Sequence, residues 1–364
     1  MKFTLLIIIL NLNLVVFSQD WGTLEALRGT DNWEQRRKHK LMELQLIESM
    51  SASEKKTSSS YKNGYHIVNY KSGFSYEGEF LNNEFHGVGK LVFPNSTYYI
   101  GEFKYGKFHG EGSLYFDNGN SYNGNWAYGK MDGYGVFVWN SGAYYKGNWS
   151  LGNKEGYGSM KFDNGDTYLG NWSNDKFNGE GTMNYEVGSV YKGNWVNGNE
   201  NGYGVYLYKD GRKYQGNWLN GKFHGKGIYK RSDGSLMYKG EWANDLINGY
   251  GVYLWTDGNK YEGNWVNDKQ NGYGVFLFND GRKYEGNWKN GEKDGYGKFT
   301  WTNGSSYMGE WLNDKMNGKG KYIYANGNIY EGNWSSDQKH GKGVLTLKNG
   351  KKLDGTWEFD KFIE

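Results

Sequence analysis

One short motif, Tyr-x-Gly-x-Trp/Phe, recurs along most of the chain at a spacing of 23 residues. Only the step from Tyr214 to Tyr238 differs, being 24 residues. A regular recurrence of this length is typical of repeat architectures, in which each unit packs only against its neighbours. The motif begins at Tyr76, Tyr99, Tyr122, Tyr145, Tyr168, Tyr191, Tyr214, Tyr238, Tyr261, Tyr284, Tyr307 and Tyr330, with a weaker copy at Leu353.

Within each copy the side chains alternate with the period of two that is typical of a β-strand. In the copy at Tyr261, the aromatic and glycine positions of the motif alternate with polar residues. The polar run 267–271 then predicts a reversal of the chain, and residues 272–278 predict a return strand. The sequence Asn-Asp-Gly at 279–281 predicts a tight turn into the next copy. The chain is therefore expected to be a meander of antiparallel hairpins.

We expect the side of the hairpins that carries the motif's Tyr, Gly and Trp to be the packed side. The return-strand positions on the same side are nearly all large and apolar, as in Phe137/Trp139 and Phe299/Trp301. The chain contains 58 Gly, 33 Tyr and 16 Trp, and a glycine lets a neighbouring aromatic ring lie on the backbone. These patterns predict an all-β fold, an elongated single-layer antiparallel sheet held by a ladder of rings instead of a globular core.

The motif resembles the MORN (membrane occupation and recognition nexus) repeat. Residues 261–274, with Tyr261, Gly263, Trp265, Gly272 and Gly274 in place, are similar to the family's consensus. The resemblance extends over about four fifths of the chain. It implies an array of β-hairpins that acts as a scaffold or binding surface. Some MORN arrays are joined to a lipid-kinase domain, for which this chain has no room beside its repeats.

The sequence predicts four segments. Residues 1–18 are typical of a secretory signal peptide, because Lys2 precedes an apolar stretch and small residues precede Gln19. An uncleaved anchor is the alternative. Residues 19–62 contain a predicted amphipathic helix over 33–50, followed by a Ser-rich linker. The repeat array is expected over residues 63–357 and a C-terminal tail over 358–364.

The sequence gives little support for catalysis. The absence of Cys excludes thiol chemistry and Cys-based zinc sites. His86, His109, His224 and His340 occupy one repeat position that elsewhere holds Asn, Asp or Glu, which indicates a polar turn position. We therefore predict a non-enzymatic protein with no catalytic residue, cofactor or metal site.

A candidate partner-binding patch lies on the side of the sheet opposite the motif's rings. In most copies this side is polar, but in a few it becomes apolar, with Tyr134, Val136 and Val138 in one copy and Tyr203, Val205 and Leu207 in another. The last two apolar copies are adjacent. An apolar patch on an exposed sheet face commonly marks a contact surface. The alternative is that these side chains serve only to pack the second side of the sheet. The patch comprises Tyr250, Val252, Leu254, Tyr273, Val275 and Leu277.

The charge pattern bears on the choice of partner. The 43 basic and 40 acidic residues nearly balance, which argues against nucleic acid. The densest basic cluster, Arg36, Arg37, Lys38 and Lys40, is a candidate phospholipid-binding site or simply a solvated run of charge. We predict a scaffold for protein–protein interaction or self-association outside the cytosol, in a secreted or other extracytoplasmic location. The alternative is a peripheral phospholipid- or glycan-binding module.

Overall fold

A computed structural model describes residues 63–364 of the chain, and all regular structure in that range is β-strand. The predicted all-β fold of tandem hairpins is confirmed, because the 27 strands belong to one antiparallel sheet. The predicted signal peptide, the 19–62 segment and its helix lie outside the described residues. The chain divides into two compact units, of which the first ends at Asp163 and the second begins at Asn164.

Strands of seven and nine residues alternate through both units, except for β1, β16 and β27, which have six, eight and two residues. The first unit contains β1 (Gly64–Asn69), β2 (Ser75–Leu81), β3 (Glu84–Val92), β4 (Tyr98–Lys104), β5 (Lys107–Tyr115), β6 (Ser121–Ala127), β7 (Lys130–Val138), β8 (Tyr144–Ser150) and β9 (Asn153–Lys161). The second contains β10 (Thr167–Ser173), β11 (Lys176–Asn184), β12 (Val190–Val196), β13 (Asn199–Leu207), β14 (Lys213–Leu219), β15 (Lys222–Lys230), β16 (Leu236–Ala243), β17 (Leu246–Leu254), β18 (Lys260–Val266), β19 (Lys269–Leu277), β20 (Lys283–Lys289), β21 (Glu292–Thr300), β22 (Ser306–Leu312), β23 (Lys315–Ile323), β24 (Ile329–Ser335), β25 (Gln338–Thr346), β26 (Lys352–Glu358) and β27 (Lys361–Phe362).

The reversal inside each repeat is shorter than the polar run 267–271 predicts. Val266 pairs with Lys269, so the turn consists of Asn267 and Asp268 alone. Both turn residues have positive φ, 47° and 65°, which is the conformation of a two-residue type I′ hairpin. Asn and Asp tolerate this left-handed region better than most residues. The prediction of a five-residue loop is wrong because the polar residues 269–271 form the start of β19.

The predicted packed side is confirmed. Tyr261 is fully buried and Trp265 is 4 % exposed. We call the side that carries these two rings the packed face, and the opposite side the open face. The first tyrosine of each of the twelve motif copies is at most 1 % exposed. We call these twelve residues the tyrosine ladder: Tyr76, Tyr99, Tyr122, Tyr145, Tyr168, Tyr191, Tyr214, Tyr238, Tyr261, Tyr284, Tyr307 and Tyr330.

The motif glycines make room for the ladder. A Cβ atom built on Gly274 would lie 2.2 Å from the Tyr261 hydroxyl oxygen and 2.4 Å from its Cζ atom. A Cβ atom on Gly263, the cross-strand partner of Gly274, would lie 2.5 Å from the Cα atom of Gly274. Because real Cβ atoms do not approach other atoms this closely, only glycine fits where the ring crosses the two strands.

Rings from one repeat also contact the next. Tyr284 lies 5.1 Å from Trp288 of its own motif and 5.4 Å from Trp311 of the following one, in edge-to-face geometry. The Trp311 indole N–H donates a hydrogen bond of 3.1 Å to the carbonyl of Gly297 in the preceding repeat. Edge-to-face pairs add about 0.5–1.5 kcal/mol to the effect of burial. The interfaces between repeats therefore supply the packing that a single hairpin lacks.

Candidate binding face

The open face presents tyrosines at the same position of several repeats, just after the turn-proximal glycine of the return strand. Each is about half exposed, with Tyr250 at 53 %. Neighbouring strands lie about 4.8 Å apart, so tyrosines on consecutive return strands are spaced about 10 Å apart. In the first unit they are Tyr134 and Tyr157, and in the second they are Tyr203, Tyr250, Tyr273 and Tyr296.

The structure places all six predicted partner-binding residues on the open face, in two groups. Tyr250, Val252 and Leu254 share the open side of β17, and the equivalent residues share the open side of β19. Tyr273 is 53 % exposed, Leu277 is exposed and Val275 is half-buried. Each group is therefore accessible along one strand.

The two groups do not form one continuous apolar surface, because β18 lies between them. Tyr250 pairs with Asn264, Val252 with Glu262 and Leu254 with Lys260. Val275 and Leu277 of β19 pair with the same two charged residues from the other side. The two repeats are adjacent in the sequence, but the outgoing strand β18 separates their return strands. The face consists of apolar rows alternating with a charged row.

The charged row fixes the tyrosine rings. Glu262 accepts hydrogen bonds from the Tyr250 hydroxyl at 3.1 Å and from the Lys260 ammonium at 2.8 Å. These two donors, Lys260 first, lower the pKa of the Glu262 carboxyl. The carboxylate thus stays ionised and holds the ring of Tyr250 along the sheet.

The next repeat reproduces this arrangement. Glu285 accepts hydrogen bonds from the Tyr273 hydroxyl at 2.9 Å and from Lys283 at 2.6 Å, and its pKa is lowered by Lys283 first and then by Tyr273. The hydrogen bond to Glu285 is also the largest cause of a raised pKa of Tyr273. The face therefore carries pre-oriented rings, which bind with less loss of side-chain entropy than mobile ones.

Tyr296 extends this surface and was missed from the sequence. It is 55 % exposed on β21 and pairs with Glu310. Its strand neighbours on the open face, Lys298 and Thr300, are polar, so the apolar pattern that marks Tyr250 and Tyr273 is missing beside it. The signal that identifies it is its 23-residue spacing from Tyr273.

The remaining predictions concern a basic cluster, metal ions and membranes. The basic cluster Arg36, Arg37, Lys38 and Lys40 lies outside the described residues. Among residues 63–364, no three His, Cys, Asp or Glu side chains come together as a metal-binding group. That same range contains no helix with the length and apolarity to cross a membrane.

The four repeat-position histidines lie in strands. The prediction that they occupy a turn is wrong, because the two-residue reversal places this position third in the return strand. His86, His109, His224 and His340 belong to β3, β5, β15 and β25.

Comparison with known families identifies the repeat. Twelve consecutive segments match the MORN repeat model. They are residues 76–98, 99–121, 122–144, 145–167, 168–190, 191–211, 214–236, 238–260, 261–281, 284–306, 307–329 and 330–352. The chain belongs to the MORN repeat family. MORN repeats generally mediate protein or membrane binding, and MORN repeat proteins are typically non-catalytic. No curated protein matches this MORN chain.

A search of solved structures finds several chains with low sequence identity and low TM-scores. The TCP domain of SAS-4 (dCPAP) from Drosophila melanogaster, in complex with a proline-rich motif of Ana2, is 14% identical with a TM-score of 0.20, covering 56% of this chain and 85% of that one. The TCP10 domain of Danio rerio CPAP is 11% identical with a TM-score of 0.14, covering 80% and 99%. A virginiamycin B lyase from Staphylococcus aureus is 10% identical with a TM-score of 0.14, covering 82% and 96%. Similarities this distant support no statement about function.

Proposed function

We propose that this MORN repeat protein is a non-catalytic scaffold that binds a protein, or a second copy of itself, through the open face of β17, β19 and β21. The observation that carries the proposal is the row of half-exposed tyrosines Tyr250, Tyr273 and Tyr296 on three consecutive repeats. Tyrosine is enriched at protein interfaces because it combines a large apolar surface with a hydroxyl group. The hydrogen bonds to Glu262 and Glu285 hold two of these rings in place before binding.

Replacing the apolar rows tests this proposal. A full-length variant with Val252→Thr, Leu254→Thr, Val275→Thr and Leu277→Thr removes the aliphatic side chains that follow the tyrosines and keeps a residue of high β-propensity at each of the four strand positions. If the parent self-associates, we expect light scattering to show that this variant does not. If the parent binds a protein partner from its native source, we expect this variant to lose that partner. A matched control replaces the residues at the equivalent repeat positions with Thr: Val136, Val138, Val205 and Leu207. Identical behaviour of both variants and the parent would contradict the proposal.

A direct test of the tyrosines uses the triple variant Tyr250→Ser, Tyr273→Ser and Tyr296→Ser. Because the rings are the largest exposed groups of the face, their loss should weaken binding at least as much as the loss of the aliphatic residues. Circular dichroism of the variant checks that the strands persist. Retention of full affinity in a folded triple variant would place the interface elsewhere.

We also propose that the scaffold acts outside the cytosol, in a secreted or other extracytoplasmic compartment. The proposal rests on the charged start, apolar stretch and small residues of positions 1–18. N-terminal sequencing of the chain from its native source is expected to give Gln19 as the first residue. A chain that retains Met1 in the cytosolic fraction would contradict it.

The basic cluster at Arg36, Arg37, Lys38 and Lys40 supports one alternative, binding to an anionic phospholipid surface. Such binding is electrostatic and must weaken as salt is added. Co-sedimentation with vesicles containing phosphatidylserine, at low and high salt, distinguishes it from the protein-binding role. Sedimentation that depends on salt and disappears when the four residues are replaced with Gln would favour the alternative.

A further inference from the structure

Three consecutive hairpin tips of the first unit carry large apolar side chains. Tyr105, Tyr128 and Leu151 open the two-residue turns that follow β4, β6 and β8, and they are 59 %, 57 % and 64 % exposed. Each tip is two strands, about 10 Å, from the next along one edge of the sheet. We call these three residues the tip row. A regular row of exposed apolar groups commonly marks a contact surface.

The backbone of the tip row indicates that the turns themselves do not favour these side chains. The φ angles of Tyr105, Tyr128 and Leu151 are 53°, 50° and 48°, in the left-handed region that bulky residues rarely adopt. Eight other tips hold Asn at this position, which tolerates the conformation better. They are Asn82, Asn174, Asn197, Asn220, Asn244, Asn267, Asn290 and Asn313. Strain that Asn would relieve points to a role for the side chains.

The tip row is flanked by basic residues. The three turns, with the residue on either side of each, contain three lysines and no acidic residue. Lys104 holds its ammonium 5.6 Å from the centre of the Tyr105 ring, and Lys107 and Lys130 are exposed. Two tip rows would therefore repel each other, and the surface that complements a tip row is both apolar and acidic.

The open face of β1–β4 has this complementary character. Ile67 on β1 and Val88 on β3 are 68 % and 61 % exposed. Ile67 pairs with Glu77 of β2, Val88 pairs with Glu102 of β4, and both glutamates are exposed. We call these four residues the acidic face. By strand alternation, the open side of β1–β4 carries four glutamates and two lysines, a net charge of −2. They are Glu77, Glu79, Glu84 and Glu102 against Lys90 and Lys104.

The spacing of the two surfaces agrees. Because β2 lies between β1 and β3, Ile67 and Val88 stand on strands about 10 Å apart, which is also the separation of neighbouring tips. Two tips can therefore contact β1 and β3 at the same time. The tip row and the acidic face belong to one continuous sheet, which cannot fold its edge onto its own face. A contact between the two surfaces must join two copies of the chain.

We infer that the tip row of one copy docks on the acidic face of a second copy. The tip side chains cover Ile67 and Val88, and the lysines beside them pair with Glu77 and Glu102. Since the contact uses two different surfaces, each copy keeps one tip row and one acidic face for further copies, and the assembly grows as a chain. This inference concerns the first unit and does not depend on the proposed interface of the second.

Two full-length variants test the apolar part of this contact. The tip variant carries Tyr105→Asn, Tyr128→Asn and Leu151→Asn, which suit the turns, and the face variant carries Ile67→Thr and Val88→Thr. We expect sedimentation velocity to show oligomers larger than dimers for the parent at high concentration and monomers for each variant alone. In a mixture, only the intact face of the tip variant and the intact tips of the face variant can meet. The mixture should therefore give a one-to-one complex and nothing larger.

Three controls accompany the mixture. Phe359→Asn changes a bulky tip residue of the second unit that also has positive φ, and it should leave the oligomers unchanged. The Thr variant of β17 and β19 described above should also keep them, which separates this contact from the proposed interface of the second unit. Circular dichroism checks that every variant is folded. A parent that stays monomeric, folded variants that oligomerise like the parent, or a mixture that stays monomeric would overturn the inference.

A charge swap tests the electrostatic part separately. Lys107→Glu with Lys130→Glu makes the tips acidic, and Glu77→Lys with Glu102→Lys makes the face basic, so each variant alone should be monomeric. In their mixture both contacts are again between opposite charges, and oligomers larger than dimers should return. Added salt should weaken the parent oligomers. Lys222→Glu with Lys269→Glu, at the same turn position in the second unit, is the matched control. A mixture of the swapped variants that stays monomeric would contradict the pairing of basic tips with the acidic face.

Discussion

At the scale of the residue, the structure explains why the ladder position is Tyr and not Phe. The strand that begins each motif is shifted in register after its glycine, as between Gly263 and Trp265, so Asn264 has no cross-strand partner on β19. The hydroxyl of Tyr261 donates a hydrogen bond of 3.0 Å to the Asn264 carbonyl. The ring thus fills the space above two glycines while its hydroxyl donates to a backbone carbonyl at the bulge.

This role predicts the effect of Tyr261→Phe. The change removes the donor to a part-buried carbonyl, which should cost about 1–3 kcal/mol of unfolding free energy. Urea unfolding gives the total effect, and hydrogen exchange of the amides in β18 and β19 shows where it acts. The control is Tyr273→Phe, whose hydroxyl donates to exposed Glu285 and whose loss should cost less than about 0.5 kcal/mol. Equal losses in the two variants would show that the hydroxyl of the ladder does not matter.

At the scale of the element, the short turns link neighbouring hairpins. The Asp268 carboxylate accepts a hydrogen bond of 2.7 Å from the Ile247 amide of the preceding repeat, and the Asp268 amide donates one of 3.0 Å to the Ile247 carbonyl. The same reciprocal pair joins Met316 and Asp337 at 2.7 and 3.0 Å. The turn of one hairpin therefore caps the start of the previous return strand.

The sequence predicted the packing of each element better than its ends. The alternation around Tyr261 and Trp265 reveals the packed face, because burial of one side leaves a period of two in the residue types. The polar run 267–271 does not reveal that the turn is two residues long, because polar side chains suit a loop and an exposed strand end equally. The separation of the two apolar groups on the open face depends on the position of β18 between β17 and β19. Residue spacing along the sequence does not reveal this separation.

Substitutions at Asp268 test the turn. Asp268→Gly keeps a residue suited to the positive φ of 65° but removes the acceptor, which should cost about 1 kcal/mol. Asp268→Asn keeps an acceptor oxygen and removes a charge whose burial raises the pKa of the carboxyl. The native state therefore binds the carboxyl proton of Asp268 more tightly than the unfolded state does. The contribution of this protonation to the free energy of unfolding is complete below the unfolded pKa of about 3.9 and is lost as the pH rises through the folded pKa.

The Asn variant should therefore be at least as stable as the parent at pH 7, and its advantage should shrink as the pH falls below 4. The comparison uses the urea midpoints of the parent, Asp268→Asn and Asp268→Gly, each measured at pH 7 and below pH 4. Other carboxylates titrate in all three proteins and cancel in the differences. An Asn variant that is less stable than the Gly variant at pH 7 would show that the side-chain acceptor plays no part.

At the scale of the whole molecule, stability depends on many equivalent rings instead of one central core. Ladder tyrosines contact the tryptophans of their own and the following motif, as Tyr307 does with Trp311 and Trp334 at 5.2 and 5.4 Å. Damage to one interface is therefore expected to remain local, whereas a change that acts on every copy of the ladder at once should unfold the chain.

High pH is such a change. Burial raises the pKa of Tyr330 to about 12 and the pKa of Tyr122, Tyr238 and Tyr261 further, while an unfolded tyrosine has a pKa of about 10. Above pH 10 the unfolded chain therefore binds fewer protons than the native one, so stability falls with each further rise in pH. We expect β-structure in circular dichroism to disappear cooperatively above pH 10, together with a late step in tyrosinate absorbance. Ionisation of all 33 tyrosines with an unchanged dichroism spectrum would show that the ladder is not buried as described. Ionisation of the exposed tyrosines alone, before the β-signal falls, agrees with a buried ladder.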